Sequence, residues 1–310
     1  MTARPAALVV VNPAARGGQG LALWASLLGD VGEHVEIAKV IETTADDAWT
    51  AELRQALEQG ASVVIAAGGD GTVGTVADCL MGVPAARRPV LGAIGLGSSN
   101  DFHKPASVRA AIPLRIDPRQ PLRRDVCRAE LVGPSARRAR HFVVSASAGF
   151  TAEANVCFNQ LRGFGGFLKA HWTGGAIAAA AVATLLSHRN REVRLRCAGS
   201  TEQRAVSLSN LSLLKTPFIS GSFRVDFPVA SDDGLFGVAL CCGLGKLGLM
   251  RVLADLSAGR FVGKPGREHF HTAALELEAD EPFAVELDGE VFEATTARFE
   301  VFHKALVVCT

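Results

Sequence analysis

Continuous apolar runs punctuate the first hundred residues, and each gives way to a glycine-rich or polar turn and then to a stretch with helical spacing. Ala7-Leu8-Val9-Val10-Val11 favours a strand and ends at Asn12-Pro13, with Gly17-Gly18-Gln19-Gly20 beyond. Ser62 to Ala67 and Val90 to Ile94 repeat the pattern, and Val35 to Ile41, though broken by Glu36 and Lys39, is a further strand candidate. Between them the spacing predicts helices around Leu21 to Leu28, over the stretch holding Trp49, Leu53 and Leu57, and from Val73 to Met81. Thr43-Thr44 and Asp46-Asp47 supply side chains that start a helix. Strands that are apolar throughout and alternate with helices predict a mostly parallel sheet covered on both faces.

After Pro118 the pattern changes. Val193 to Cys197 and Ala274 to Glu278 alternate apolar and polar residues, as strands with one wet face do. Phe283 to Leu287, Phe299 to Phe302 and Leu306 to Val308 continue the β character, around helical regions near Phe164 to His188 and Lys246 to Ser257. The fold class read from this is an α/β N-terminal domain followed by a β-rich, sandwich-like C-terminal domain. The first takes residues 1–120 and is completed by a returning strand at 296–310; the second takes 121–295, with the break near Pro118 to Pro121.

Composition narrows the class. A chain of 310 residues suits two domains at roughly 150 each. With 48% hydrophobic and 20% charged residues it buries a core, so general disorder is excluded. A net charge of +1 gives no overall field for nucleic acid. Seven cysteines without a C-x-x-C pair, and no secretory signal, read as thiols in a reducing, cytoplasmic compartment. Trp172 to Ser187 carries no charge but is mostly alanine, too short and too weakly apolar for a membrane span, and reads as a buried helix.

The sharpest local signal is Gly68-Gly69-Asp70-Gly71-Thr72, which follows a strand and opens a helix. Glycines let a ligand approach the backbone, and the helix N-terminus offers unpaired N–H groups suited to phosphate. Asp70 beside a phosphate calls for a metal or a basic group nearby. Asn12-Pro13 and Gly95-Leu96-Gly97-Ser98-Ser99-Asn100-Asp101-Phe102 follow two other strands of the same sheet. Three turns at the carboxyl ends of parallel strands predict one ligand crevice. The fingerprint G-x-G-x-x-G is absent after the first strand, which argues against a nicotinamide enzyme. In the β-rich half, Asp232-Asp233-Gly234-Leu235 and Asp288-Gly289-Glu290 read equally as hairpin turns or as carboxylates with chemistry to do. His269 and His271 alternate as metal ligands would but lack a third ligand nearby and read as surface or packing residues; Arg123-Arg124 and Arg137-Arg138-Ala139-Arg140-His141 offer contacts to anionic lipid but read first as solvated loops.

Taken in order, the Asn12-Pro13 turn, Gly69-Asp70-Gly71-Thr72, Gly97 to Phe102, Asp232 to Leu235 and Asp288-Gly289-Glu290 resemble the signatures of the soluble lipid kinase family typified by bacterial diacylglycerol kinases, related to sphingosine and ceramide kinases. The likeness runs over essentially the whole chain. It implies a phosphotransferase with an alcohol acceptor, moving phosphate from ATP to a diacylglycerol-like or sphingoid lipid in a cleft between two domains. It implies ATP contacts at Asn12, Thr44 (or its neighbour Thr43), Gly69, Asp70, Gly71, Thr72 and Ser98. It also implies a structural Mg²⁺ on Asp233 and the main-chain carbonyls of Ala230 and Leu235, and Glu290 as the base, with Asp288 close by. The partner implied is a lipid at the membrane surface, met by peripheral and transient contact; the particular lipid and any homo-oligomer are left open. Gly74 stands where many members have Asn, and Ser98 where Thr is usual. The other readings are an NAD kinase, which shares Gly-Gly-Asp-Gly, and a non-catalytic lipid- or nucleotide-binding protein of the same fold, for which Gly74 speaks.

Overall fold

The computed structural model describes residues 4–46, 48–105, 112–134, 136–160 and 182–310. The chain forms two compact units, one of Met1–Val126 with His303–Thr310 and one of Cys127–Phe302.

In the first unit, strand β1 (Ala6–Val11) leads into a short turn α1 (Ala15–Gly18) and two helices, α2 (Gly20–Ser26) and α3 (Leu28–His34). The single helix expected around Leu21 to Leu28 is thus two, parted at Leu27, whose N–H bonds the Trp24 carbonyl three residues back. Strand β2 (Glu36–Glu42), helix α4 (Trp49–Glu58), strand β3 (Val63–Gly68), helix α5 (Asp70–Met81), strand β4 (Val90–Gly95) and the short β5 (Leu114–Arg115) follow. The strands run in the order β4-β3-β1-β2, all parallel. β3 is buried at every residue and β1 at all but its first, because both faces are covered. Trp24, Leu27 and Val31 pack on one face with Val9, Val11, Ile65 and Ile94; α4 packs on β2 and α5, and α5 on β3 and β4. From β1 the chain crosses to β2 on one side and returns to β3 on the other. That reversal is a topological switch point, and it opens at the carboxyl ends of β1 and β3.

The second unit continues from strand β6 (Leu122–Val132), whose first residues belong to the first unit, through β7 (Arg137–Phe142) and β8 (Ser145–Gly149) into helix α6 (Phe150–Gln160). The helix expected from Phe164 to His188 lies mostly outside the described residues; 182–187 are helical. Strands β9 (Arg191–Cys197), β10 (Arg204–Leu214), β11 (Phe218–Ile219), β12 (Phe223–Arg224) and β13 (Phe236–Cys242) precede helix α7 (Lys246–Ser257). Strands β14 (Arg267–Thr272), β15 (Ala274–Leu287) and β16 (Glu290–Val308) complete it. The antiparallel order is β14-β13-β10-β8-β15-β16, with β9 pairing the first halves of β10 and β15. Phe142, Phe236 and Phe299 sit together in the core of this sandwich, with Leu211, Leu213, Val285 and Leu287. The alternation read in Ala274 to Glu278 is that of a strand facing this core on one side, with Glu276 held by Arg196 and Arg298 on the other. The last residues of β16 re-enter the first unit, where Val308 pairs in parallel with Leu91 of β4 and Leu306, Val308 and Cys309 are fully buried. All seven cysteines are free thiols.

Candidate active site

Three turns meet at the switch point. Asn12, just after β1, donates its backbone N–H to the Ala67 carbonyl of β3 (2.9 Å), and its side-chain amide reaches the Thr72 hydroxyl (3.4 Å). Its Oδ1 accepts the Ala14 N–H (3.0 Å), which shapes the turn. The Leu96 N–H bonds the Gly68 carbonyl (2.8 Å), so the turn after β4 lies against the turn after β3. Gly69 and Gly97 meet backbone to backbone: a Cβ on Gly97 would stand 2.5 Å from the Gly69 Cα, a distance real atoms do not adopt. Asp70, the first residue of α5, does not cap its own helix. Its two oxygens accept the N–H groups of Asp101 and Phe102 (both 3.0 Å), binding the turn after β3 to the turn after β4. Asn100 takes a left-handed conformation (φ 51°), and its amide accepts the Gly97 N–H (2.9 Å) and donates to the Gly95 and Gly97 carbonyls.

Lys104 stands near Asp70 and is ion-paired to Asp101 at 2.8 Å, with both side chains largely buried. Burial, and next the Asp101 carboxylate, push the Asp70 carboxyl up to about 6, against the two N–H bonds and Lys104, which pull it down. Arg124, read in the sequence as part of a solvated run, is a scaffold residue. Its guanidinium donates to the Phe102 carbonyl (2.8 Å) and lies over the Phe102 ring, 4.6 Å from its centroid. His103, buried beside them, is held neutral; burial and then Arg115 and Arg124 lower its pKa to about 3.

Of the expected nucleotide contacts, Asn12, Gly69, Asp70, Gly71 and Thr72 are gathered here, with Ser98 exposed on the turn after β4. Thr44 lies one step away, exposed after β2 with its hydroxyl bonded to Asp46 (2.5 Å), while the Thr43 N–H bonds Val11 at the end of β1. Gly74 is buried within α5. Sequence reasoning missed Asn100 as an organiser of the turn; its signal was an Asn at a position that needs positive φ.

In the second unit, Asp288 and Gly289 form the two-residue connection between β15 and β16, both with positive φ (47° and 100°). The Asp288 carboxylate is 5% exposed and accepts three backbone N–H groups, from Val143 (2.8 Å), Val144 and Ser145 (both 2.9 Å). Through these bonds it anchors the hairpin to β8 and to the two residues before it. Glu290 follows, half-buried at the first position of β16 and paired with Leu287. Glu286, 6% exposed and unforeseen from sequence, accepts the Ser147 hydroxyl (2.7 Å) and the Gly289 N–H, fixing the same hairpin at a second point. His269 and His271 pack on Phe227, the first stacked at 5.0 Å between centroids and the second edge-on.

The implied Mg²⁺ ligands meet a different cation. The Lys215 ammonium donates to Asp233 Oδ1 (2.9 Å) and to the Leu235 carbonyl (2.5 Å). Asp233 Oδ1 also accepts the Leu235 N–H (3.1 Å), and Ala230 lies exposed in the loop that leads into this turn. Lys215 is 2% exposed. A dication bound by those two oxygens would face a buried ammonium, so the residues present do not fit Mg²⁺ at this position. Among the described residues no group of three or more His, Cys, Asp or Glu is arranged to hold a metal ion.

Two family models match the chain. A diacylglycerol kinase catalytic domain covers residues 6–121, and a YegS C-terminal NAD kinase beta sandwich-like domain covers 144–310. The chain belongs to the YegS-like lipid kinase family. A "Probable lipid kinase YegS-like" of Cronobacter sakazakii is 42% identical over 90 residues, covering 29% of this chain and 29% of that relative. One of Yersinia pestis is 35% identical over 104 residues, covering 29% of this chain and 34% of its own length. The chain therefore spans about a third of the relatives it matches. A solved diacylglycerol kinase structure from Bacillus anthracis superposes with a TM-score of 0.63 at 16% identity, over 100% of this chain and 97% of that one. Another structure from the same organism reaches 0.73 at 17%, over 100% and 98%. At such identity the likeness is one of fold, an α/β catalytic domain with a sandwich-like partner. Among the described residues of this family member, no helix is long and apolar enough to cross a membrane.

Proposed function

We propose that this YegS-like family member transfers the γ-phosphoryl group of ATP to a hydroxyl of a diacylglycerol-like or sphingoid lipid. The observation that carries the reading is the meeting of three turns at the switch point, where Gly69 and Gly97 let two of them close on each other beside the N-terminus of α5. Phosphoryl transfer asks little covalent chemistry of a protein and much positioning. In this reading the Gly69 to Thr72 turn and the Asn12 side hold the phosphates, and Thr44 and Ser98 offer hydroxyls at the rim. Glu290 takes the proton of the acceptor hydroxyl as its oxygen bonds to phosphorus and the bond to ADP breaks. Asp288 and Glu286 hold the hairpin from which Glu290 starts. The Mg²⁺ that accompanies ATP arrives with the substrate.

A membrane-surface encounter is part of the proposal. Helix α7 turns Leu247 (71% exposed) and Met250 (51% exposed) outward beside Lys246 and Arg251, an apolar stripe with cationic flanks suited to an anionic bilayer. Labelled ATP offered with diacylglycerol, sphingosine and NAD in parallel tests the reading. Label in the lipid and none in NAD supports it, and turnover of NAD alone overturns it. Replacing Leu247 and Met250 by Ser should lower sedimentation with phosphatidylglycerol vesicles several-fold while leaving turnover of a short-chain, soluble acceptor unchanged.

A further inference from the structure

We infer that the acceptor-side unit of this protein carries its own counter-cation, the Lys215 ammonium, in the place where the family resemblance implies a structural Mg²⁺, so that its fold is independent of divalent metal. Lys215 follows β10, and its backbone N–H is fixed by the Val144 carbonyl (2.9 Å). Its stem is buried, and its ammonium lies on two of the three oxygens that the resemblance implies for the ion, Asp233 Oδ1 at 2.9 Å and the Leu235 carbonyl at 2.5 Å, the third being the Ala230 carbonyl. A lysine 2% exposed persists only with its charge matched, and Asp233 is the carboxylate that matches it. The same carboxylate oxygen closes the turn by accepting the Leu235 N–H. The task of a dication here is to tie the Asp233 turn to the strand behind it, and the ammonium performs it with N–H donors at hydrogen-bond distance. Mg²⁺ would require oxygens at about 2.0–2.1 Å in an octahedron. Lysine and dication exclude one another, since each neutralises the same carboxylate and together they repel.

The test reads metal binding and melting, not turnover, and so stands apart from the reading of the function above. In nucleotide-free protein, melting temperature is measured in EDTA and in millimolar Mg²⁺, and bound Mn²⁺ is counted by electron paramagnetic resonance for wild type and Asp233→Asn. The inference expects no change in wild-type melting and equal Mn²⁺ in both proteins. A wild type that melts several degrees lower in EDTA, as loss of a saturating ligand requires, or that holds one Mn²⁺ more than Asp233→Asn, overturns it. Lys215→Ala frees the two oxygens, and it should melt several degrees below wild type and recover part of the loss in millimolar Mg²⁺ or Ca²⁺. It should also gain one Mn²⁺ that Lys215→Ala/Asp233→Asn does not hold. If the folded Lys215→Ala gains none, the exclusion argument fails. Should that variant not fold, Lys215→Met keeps the stem and takes its place, and the wild-type measurements decide on their own.

Discussion

A carboxylate in this protein is defined by which hydrogens point at it. Asp70 and Asp288 look alike in sequence, each beside glycine in a turn, and each proves to be an acceptor for backbone N–H groups of a distant segment. Asp70→Ala would strand the Asp101 and Phe102 N–H groups, each bond to a charged group being worth about 1.5–3 kcal/mol. The expected outcome is a loss of about 2–4 kcal/mol in urea unfolding, together with a large fall in ATP affinity by calorimetry. Asp70 also titrates late. With its pKa raised to about 6, the folded state keeps a proton that the unfolded chain has released above about 4. Its contribution therefore favours folding at pH 4 and is lost as pH rises through 6. In a nitrogen–proton correlation titration the Asp101 and Phe102 amides should shift with a midpoint near 6; a midpoint near 4 would show the N–H bonds outweighing burial. Glu290 is the carboxylate assigned to chemistry. Glu290→Gln should lower kcat on the lipid acceptor by about 10²–10⁴ with ATP affinity little changed, and retention of a third of the activity would remove Glu290 as the base.

At the scale of elements, the β15–β16 hairpin is rigid for a stated reason. Its two central residues both hold positive φ, which Gly289 tolerates freely and Asp288 endures because three N–H groups fix its carboxylate. Asp288→Asn offers one acceptor oxygen where the carboxylate offered two, and puts an N–H₂ against a backbone N–H. It should destabilise by about 2–4 kcal/mol and reduce turnover through misplacement of Glu290, whereas Glu290→Gln should leave stability near wild type. Chemical denaturation beside kinetics separates the two. Much of this level was legible beforehand. The runs that became β1, β3 and β4 are apolar because both faces of a parallel sheet are covered, and Trp49, Leu53 and Leu57 announced α4 by spacing. The Asp-Gly of the hairpin was equally plain. What pattern could not show was pairing across the chain. Asp288 binds N–H groups 143 to 145 residues upstream, and nothing in Leu213-Leu214-Lys215-Thr216 marks a lysine whose partners stand 18 and 20 residues ahead. The parting of α2 from α3 at Leu27 was likewise invisible, since Ala and Leu continue the helical pattern through it.

For the molecule as a whole, β16 is the element that resists division. It begins beside the candidate base in the second unit and ends as a buried strand of the first, where Leu306, Val308 and Cys309 are fully enclosed and Arg88 donates to the Ala305 carbonyl (2.6 Å). A fragment of residues 1–126 would expose the β4 edge and the apolar surface that these side chains cover, an arrangement prone to association. It should be aggregated or molten by size-exclusion chromatography and near-ultraviolet circular dichroism. The same fragment with 303–310 appended through a glycine-serine linker should be monomeric and cooperatively folded. Equal behaviour of the two would show that the parallel sheet stands without its last strand.

The meeting of Gly69 with Gly97 bears on how such a protein drifts over generations. A pocket made of main-chain groups is indifferent to most codons that encode it, so substitutions accumulate there without penalty while a handful of positions stay frozen. In a library of all single variants selected for ATP binding, the turns after β1, β3 and β4 should show intolerance at Gly69, Gly97, Asp70 and Asn100 and permissiveness at Ser99. Lineages under that regime would keep the course of these turns long after their sequences have ceased to look alike.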